Sequence, residues 1–373
     1  MSLSARRLAP WLVAAFIIAI GSVAMAVSAL PSRPQQQTVH IIESTDNGFV
    51  FGLNYADELP AESAPALAQS LDDAGSVGAG WIRTDLAWYR IQTGPDSWDW
   101  SSFDRTVAYA KARGLKVLAV LGQAPVWARD SACATKLWCP PADDARFAEF
   151  AAKAAQRYPV DLVPAWEVWN EENTTGFWAG GADPAAYGAL LKATATAVRA
   201  VQPRAQIIFG GLAISTTGNG LAPRDFLLSV ARAGFLPYAD AIAYHPYSYP
   251  KLPSAAPVFA AISTGSNSLA AVLDDYHAAS MPIWLTETGA PVGAAADPYT
   301  AASIVARGEQ SQATYVTDLV TVATHNSHVK ALFWFSDIDL PGQNLYFGLR
   351  RADGTHRPSF EALTKAIGAY KTE

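Results

Sequence analysis

Short apolar runs alternate with longer amphipathic segments along most of the chain. The runs are rich in β-branched and aromatic residues, and each is long enough for one strand. They occupy residues 49–55, 80–86, 116–122, 163–170, 205–212, 241–247, 282–289 and 329–336. Because their apolar residues are continuous rather than alternating, the runs are typical of strands buried on both faces, as in parallel sheets.

The segments between the runs carry apolar residues at helical spacing. Phe147, Phe150 and Ala154, for example, fall on one face of a helix. Asp183 followed by Pro184 is typical of a helix start, with an N-cap and a proline in the first turn. Helices are predicted at residues 64–77, 101–113, 142–157, 184–201, 223–233, 268–277, 311–324 and 359–370.

Eight strands that are each followed by a helix predict an α/β fold, a (β/α)₈ TIM barrel. A doubly wound open sheet is the alternative. That fold would need a glycine-rich phosphate turn after the first strand, and residues 54–57 (Asn-Tyr-Ala-Asp) are unlike one.

The N-terminal segment predicts export of the rest of the chain. Arg6 and Arg7 precede an uncharged run at 8–30, which is longer than a usual signal core and suits a membrane anchor. Residues 24–26 (Ala-Met-Ala) offer a cleavage pattern, so a cleaved signal peptide and a secreted enzyme are the alternative. The predicted parts are a signal peptide or transmembrane anchor at 1–30, a linker at 31–46 and the barrel domain at 47–373. We expect the protein on the outer side of the cytoplasmic membrane, with membrane contact through the N-terminal segment alone.

Composition narrows the classes of partner. The net charge of −6 and the absence of basic clusters argue against nucleic-acid binding. The 12 tryptophans favour sugar stacking or core filling about equally. Cys133 and Cys139 lie close together, so in an exported protein we expect a disulfide, with two free thiols as the alternative. The six histidines are scattered without zinc-site spacing. We therefore expect no metal and no cofactor. We also expect the protein to be a monomer.

Two glutamates follow apolar runs directly, at the ends of the fourth and seventh predicted strands. In a barrel of this kind, strand C-termini carry the active site, so Glu171 and Glu287 should face each other across one mouth. Paired carboxylates in this arrangement indicate glycosidic-bond cleavage, and we expect a separation of about 5–5.5 Å, which is typical of retaining enzymes. The alternative is that both are ordinary surface acids at strand ends.

Motifs at five strands resemble those of the clan A glycoside hydrolases. Residues 166–171 (Trp-Glu-Val-Trp-Asn-Glu) resemble the fourth-strand motif, and residues 283–289 (Ile-Trp-Leu-Thr-Glu-Thr-Gly) resemble the seventh-strand nucleophile motif. Residues 82–85 resemble the second-strand arginine motif and 243–247 the sixth-strand His/Tyr motif. Trp334 matches the eighth-strand tryptophan.

Further segments resemble glycoside hydrolase family 39 in particular, including bacterial exopolysaccharide hydrolases. They are residues 98–104 (Trp-Asp-Trp-Ser-Ser-Phe-Asp) and 170–173, followed by Phe177 and Trp178. The resemblance extends over 49–371. One departure is Glu172, where the family commonly has proline; this carboxyl either repels the charge of its neighbour or points to solvent.

The resemblance implies a double-displacement mechanism on a poly- or oligosaccharide. Glu171 would be the general acid/base and Glu287 the nucleophile, kept ionised by Arg83 and hydrogen-bonded by Tyr247. Asn170 would bind the sugar 2-hydroxyl.

Four further residues are predicted to contact the sugar. Trp334 would form the floor beneath the reacting ring, and His245 would bind a hydroxyl or orient a neighbour, with a structural histidine as the alternative. Trp127 and Trp178 would bind more distant sugars or pack loops against the barrel. A catalytically silent carbohydrate-binding barrel and a transglycosylase with the same two glutamates are the alternative functions.

Overall fold

The structure, a computed structural model, describes residues 48–215, 218, 220–292, 308–343 and 345–372. All described residues lie within one compact unit, His40–Glu373. The predicted anchor and linker therefore lie outside the described residues. Within the described part of the chain, no helix combines the length and hydropathy that crossing a membrane requires.

Eight parallel strands close into a barrel, in which each strand pairs with its neighbours in the chain and the first pairs with the last. This closure confirms the predicted (β/α)₈ barrel and excludes the open sheet. The strands are β1 (Val50–Asn54), β2 (Trp81–Ala87), β3 (Lys116–Gly122), β4 (Ala165–Asn170), β5 (Gln206–Ala213), β6 (Ala241–His245), β7 (Ile283–Thr288) and β8 (Val329–Phe335).

A helix follows each strand and covers the outside of the barrel. The eight helices are α1 (Ala64–Ser76), α2 (Ser101–Lys111), α3 (Asp144–Arg157), α4 (Pro184–Val201), α5 (Pro223–Arg232), α6 (Leu269–Asp275), α7 (Glu309–His325) and α8 (Pro358–Thr372). The predicted cap of α4 is present, because the Asp183 carboxylate accepts hydrogen bonds from the backbone N–H groups of Ala185 and Ala186, both at 3.0 Å.

Shorter elements lie between these strands and helices. Two more α-helices are Trp88–Ile91 and Pro257–Ser263. In the described ranges, five 3₁₀ turns span Leu59–Ala61, Val126–Ala128, Leu236–Tyr238, Pro253–Ala255 and Pro341–Gln343. A small antiparallel pair joins Gln92–Gly94 and Ser97–Trp98.

The inside of the barrel is a packed core of side chains from alternate strand positions, which is why it forms no pore. Its buried residues are Val50, Trp81, Leu118, Ala165, Ile208, Ala241, Ala243, Trp284, Ala331 and Phe333. The Phe333 ring lies over β1, where a Cβ on Gly52 would approach it to 2.2 Å. Glycine at this position therefore gives the bulky ring its space.

Candidate active site

Glu171 and Glu287 meet at the C-terminal mouth of the barrel, from strands on opposite sides. A carboxylate oxygen of Glu171 and one of Glu287 lie within 4.8 Å of each other. The two side chains are 13% and 17% exposed, so both are largely shielded from water yet open to a ligand. This proximity fits the carboxyl separation of about 5–5.5 Å in retaining glycosidases better than the inverting separation of about 6.5–9.5 Å.

The end of β4 is bent so that two consecutive side chains enter the mouth. Trp169 has a φ of +75° and Glu171 a φ of +51°, a left-handed conformation that is rare for bulky residues. Trp169 turns outward, and its indole N–H donates to the carbonyl of Phe177 at 2.6 Å. Asn170 and Glu171 are thereby both directed to the site, which is typical of strained backbone at functional positions.

At the end of β7, a bulge directs two consecutive side chains to the inside of the barrel. Against β8, Leu285 pairs with Leu332 but Thr288 pairs with Trp334, so β7 holds one residue more than its partner. Such a bulge re-aims side chains. Glu287 consequently lies at the mouth, beside Thr286 in the layer beneath it.

Glu287 is surrounded by hydrogen-bond donors. One of its oxygens accepts from Arg83 at 3.2 Å and from the Asn54 amide at 3.0 Å, and the other accepts from the Tyr247 hydroxyl at 2.7 Å. Burial and the nearby Glu287 charge raise the pKa of Tyr247 well above its usual value, so Tyr247 stays a donor. All of these contacts favour the ionised carboxylate that a nucleophile requires.

Arg83 is held in place by a second, fully buried acid. Its guanidinium donates to both oxygens of Glu167 at 2.9 Å, and to the Asn170 side-chain oxygen at 2.7 Å. A bidentate pair of this kind fixes the orientation of the guanidinium. Arg83 therefore presents its remaining N–H group to Glu287.

Glu171 has a different environment. The Nδ1 atom of His245 lies 2.9 Å from a Glu171 oxygen, and the Nε2 atom lies 3.0 Å from the hydroxyl of Thr286. Burial lowers the pKa of His245 to about 4, so the imidazole is neutral at neutral pH. The cation of the site is thus placed beside Glu287, while Glu171 contacts a neutral group.

The comparisons with known proteins agree with this geometry. The family model described as cellulase (glycosyl hydrolase family 5) matches residues 46–337. The chain belongs to this family. No curated protein matches the chain significantly.

Solved glycosidase structures share the fold. A family 39 glycoside hydrolase from Bacteroides cellulosilyticus WH2 is 21% identical with a TM-score of 0.67, and the match covers 89% of this chain and 66% of that one. A monomeric β-xylosidase from Caulobacter crescentus CB15 is 20% identical with a TM-score of 0.64, covering 86% and 68%. GH5_18 from Streptomyces cattleya is 17% identical with a TM-score of 0.65, covering 88% and 82%.

These matches confirm the predicted clan A resemblance: the family model is family 5, and family 39 members are among the structures with the same fold. The chain spans about two thirds of the length of the family 39 structure from Bacteroides, since the match covers 66% of it.

The prediction for Trp334 is wrong, because strand alternation places this side chain outside the barrel. Phe333 points into the barrel core, so Trp334 points to the helix layer, is 1% exposed and packs against Tyr315 of α7. Phe335, the next residue, returns to the inner face at the mouth and contacts Phe347 at 5.5 Å between ring centroids. The inner-face position that was predicted for Trp334 is therefore occupied by Phe335.

The two more distant tryptophans differ in exposure. Trp178 is 4% exposed and packs edge-on against Trp169 and Tyr187, so it supports the loop after β4 and offers no open face to a sugar. These contacts support the predicted alternative for Trp178, that it packs a loop against the barrel, and not sugar binding. Trp127 is half-buried, with its ring against Trp88.

The predicted disulfide between Cys133 and Cys139 is confirmed, with an S–S distance of 2.02 Å. The closed loop carries Trp138, whose ring packs against Trp169 and Phe177 and whose carbonyl accepts from the loop after β4. The disulfide thus stiffens a loop that supports the backbone around Glu171.

Glu172 does not point to solvent. Its side chain is fully buried against β5, where a Cβ on Gly210 would lie 2.1 Å from its carboxyl oxygen. Neither oxygen has a hydrogen-bond partner in another described residue. Burial, followed by repulsion from Glu167 and Glu171, raises the pKa of Glu172 well above 4.5.

One group in the described part of the chain offers ligand atoms close enough together for a metal ion: Glu171, His245 and Glu287. The guanidinium of Arg83, 3.2 Å from Glu287, opposes a second cation at this position. The arrangement therefore suits acid–base and nucleophilic chemistry better than metal binding.

Three residues of the site were not predicted from the sequence: Asn54, Glu167 and Thr286. Asn54 ends β1 and would have been found by applying the strand-end rule to the first strand as well. Glu167 is an acid inside an apolar strand, and it lies two positions after Ala165, which faces the inside of the barrel. An acid at an inward-facing position indicates a buried ion pair. Thr286 carries no such signal, because its role depends on the bulge in β7.

Proposed function

We propose that the protein is a retaining glycoside hydrolase that cleaves a β-linked poly- or oligosaccharide, with Glu171 as acid/base and Glu287 as nucleophile. The observation that carries this proposal is the pairing of two carboxyl groups within 4.8 Å in opposite environments. Glu287 accepts three hydrogen bonds, one from a cation, whereas Glu171 contacts a neutral imidazole. This difference separates the roles of the two residues.

In the first step, the Glu171 proton moves to the glycosidic oxygen as a Glu287 oxygen attacks the anomeric carbon. The bond to the leaving sugar breaks, and a covalent glycosyl-enzyme forms. In the second step, Glu171, now a carboxylate, takes a proton from water, and the water oxygen displaces Glu287. Both inversions occur at one carbon, so the configuration is retained.

The contacts of Asn170 and Phe335 suit the reacting sugar. The Asn170 side-chain oxygen is occupied by Arg83, which leaves the amide nitrogen to donate to the 2-hydroxyl. Phe335, which is 8% exposed and packs against Phe347, is the aromatic residue at the end of β8 that we propose lies beneath the sugar ring. Trp127 is placed to contact a more distant sugar.

The β-linkage is proposed from proteins of the same fold. Their printed names include a β-xylosidase from Caulobacter crescentus and an exo-β-1,4-mannosidase from an Opitutaceae bacterium. Their active sites lie on a barrel fold, and this chain has the complete eight-stranded barrel. A screen of aryl β-glycosides and defined β-linked oligosaccharides identifies the sugar.

We also propose that the enzyme acts on the outer side of the cytoplasmic membrane, held there by residues 8–30. Arg6 and Arg7 before this apolar run support a cytoplasmic start, and the Cys133–Cys139 disulfide supports an oxidising compartment. Protease added to intact cells should digest the barrel domain, and the membrane fraction should hold the chain with its original N-terminus. A soluble form that begins near Val27 would show a cleaved signal instead.

The roles of the two glutamates are tested with an activated aryl β-glycoside and azide. Glu171→Ala should still form the glycosyl-enzyme, because such a leaving group needs little protonation, and then stall. Azide should restore turnover and give a glycosyl azide of retained configuration. Glu287→Ala with azide should give the inverted azide, because the anion enters from the vacated side.

The matched control is Glu361→Ala, which removes a carboxylate that is 72% exposed on α8. It should retain full activity without azide. An inverted azide from Glu171→Ala would exchange the two roles or exclude a retaining mechanism. Full activity of Glu287→Ala would end the proposal.

A further inference from the structure

We propose that Thr286 is a positioning residue: it fixes the tautomer of His245, and that tautomer keeps the proton on Glu171 in the resting enzyme. The inference rests on the proposed role of Glu171 as acid/base. It follows from counting donors and acceptors along four side chains that contact one another in the order Glu167, Thr286, His245 and Glu171.

Glu167 fixes the direction of the Thr286 hydroxyl. Both oxygens of Glu167 accept from the Arg83 guanidinium at 2.9 Å, in a fully buried ion pair, so Glu167 is a carboxylate with no proton to give. The Thr286 hydroxyl lies 3.3 Å from one of these oxygens. Because a carboxylate can only accept, the single hydroxyl proton of Thr286 points to Glu167.

Thr286 in turn fixes which nitrogen of His245 carries the proton. With its proton directed to Glu167, the Thr286 oxygen can only accept in its other contact, at 3.0 Å to Nε2 of His245. Nε2 must therefore carry a hydrogen. If the hydroxyl proton pointed to the imidazole instead, the stronger, charge-assisted hydrogen bond to Glu167 would be lost.

His245 then determines whether Glu171 holds a proton. His245 is fully buried, and burial lowers its pKa to about 4, so the ring carries one proton at neutral pH. With that proton on Nε2, the Nδ1 atom has a lone pair. The 2.9 Å contact from Nδ1 to Glu171 is then a hydrogen bond only if Glu171 donates, as a carboxylic acid.

The backbone of β5 fixes the ring in this position. A Cβ on Gly211 would lie 2.0 Å from Nε2 of His245, so a larger residue would displace the imidazole. Thr286 reaches Nε2 from β7, and Glu171 reaches Nδ1 from the end of β4. The imidazole therefore has one ring position and one partner at each nitrogen.

The charges around this chain act in the same direction. Among the described residues, the titratable and charged groups that face Glu171 and His245 include Arg83, Glu167, Glu172, Tyr247 and Glu287. The carboxylates of Glu167 and Glu287 repel a second negative charge on Glu171, and Arg83 is already engaged by both of them. An ionised Glu171 would also face the lone pair of Nδ1.

Both steps of the reaction benefit from this arrangement. At rest, Glu171 holds the proton that the leaving group requires. After that proton has moved to the glycosidic oxygen, the carboxylate faces a lone pair and is a stronger base towards water. The His245 tautomer needs no change between the steps, because Glu171 alone gains or loses the proton.

The decisive measurement is the tautomer of His245 in the free enzyme at pH 6, by two-bond ¹H–¹⁵N correlation on ¹⁵N-histidine-labelled protein. His245→Asn identifies the signals by their loss. We expect the proton on Nε2 in the wild-type protein and in Thr286→Ser, which keeps the hydroxyl. We expect Thr286→Val, which has the same shape without the hydroxyl, to place it on Nδ1 in part or in full. A proton on Nδ1 in the wild-type enzyme would overturn the inference, whether or not the valine variant folds.

The kinetic test uses the phenyl β-glycoside of the sugar that the screen selects, because this leaving group depends on protonation. Thr286→Val should lower kcat/KM roughly 2- to 10-fold on the alkaline side of the profile and leave the acidic side unchanged, since one neutral hydrogen bond is lost. Thr286→Ser should follow the wild-type profile. A loss that is equal at every pH would indicate a purely structural role and contradict the inference.

The two proposals fail in distinguishable ways. If azide rescue of Glu171→Ala gives the retained product while wild-type His245 carries its proton on Nδ1, the proposed function stands and the tautomer inference is wrong. If azide rescue assigns the opposite roles, the proposed function is wrong, and the tautomer measurement still reports the direction of the hydrogen bonds.

Discussion

Replacing Glu172 with glutamine should remove the loss of folding stability that ionisation of this buried carboxyl causes as pH rises. The Glu172 carboxyl is fully buried beneath Gly210, and in the described part of the chain it contacts no donor from another residue. Burial raises its pKa well above 4.5 in the folded protein. In the unfolded chain, the same group is exposed to water and ionises near 4.5.

The direction of the effect follows from where the proton is bound. Below about pH 4.5, Glu172 is protonated in both states and has no effect on the pH dependence. Between that pH and the raised folded pKa, the folded protein binds one proton more than the unfolded chain. The free energy of unfolding then falls by about 1.4 kcal/mol per pH unit from this group alone.

Glutamine has nearly the same shape and does not titrate, so Glu172→Gln lacks this slope. A constant difference from the buried amide shifts the whole curve and leaves the slope unaffected. Urea denaturation of both proteins between pH 5 and pH 8 gives the free energy of unfolding. The difference, variant minus wild type, should rise by about 1.4 kcal/mol per pH unit over the part of this range below the folded pKa.

The matched control is Glu361→Gln, at an exposed carboxylate that pairs with Lys365 on α8. This change should leave the slope of the wild-type curve unchanged. If the curves of Glu172→Gln and the wild-type protein are parallel throughout the range, Glu172 is ionised in the folded state and the reasoning from burial is wrong.

Three further predictions concern the parts that support the site. Replacing both Cys133 and Cys139 with serine should lower the free energy of unfolding by about 2 kcal/mol, measured by urea denaturation, because the closed loop is short. Phe335→Leu should lower kcat/KM for an aryl glycoside, whereas Trp334→Phe should lower the melting temperature and leave KM unchanged; the reverse pattern would contradict the strand assignment. Gly52→Ala should cost about 1–3 kcal/mol in thermal denaturation, because its Cβ would meet the Phe333 ring at 2.2 Å.

The barrel could be predicted from the sequence because its strands are buried on both faces and are separated by helices. β3 (Lys116–Gly122) and α4 (Pro184–Val201) have the predicted bounds, since continuous apolar runs and a proline after an N-cap mark them sharply. The pair formed by Gln92–Gly94 and Ser97–Trp98 was missed, because strands of two or three residues are too short to show periodicity. The helix Pro257–Ser263 was also missed, since its seven residues span two turns.

The active site could be predicted in part, and the limit lies in the alternation of side chains along a strand. A regular strand would send one member of each adjacent pair, Asn170 with Glu171 and Thr286 with Glu287, to the helix layer.

Both members of each pair face the inside of the barrel because the backbone breaks the alternation, through the positive φ of Trp169 and the extra residue in β7. These irregularities depend on distant contacts, such as the packing of Trp138 from the disulfide loop against Trp169. At β8 the alternation is intact, and it places Phe335 rather than Trp334 on the inner face of the barrel. A motif match therefore locates the end of a strand, whereas the backbone geometry decides which of two neighbouring side chains performs the chemistry.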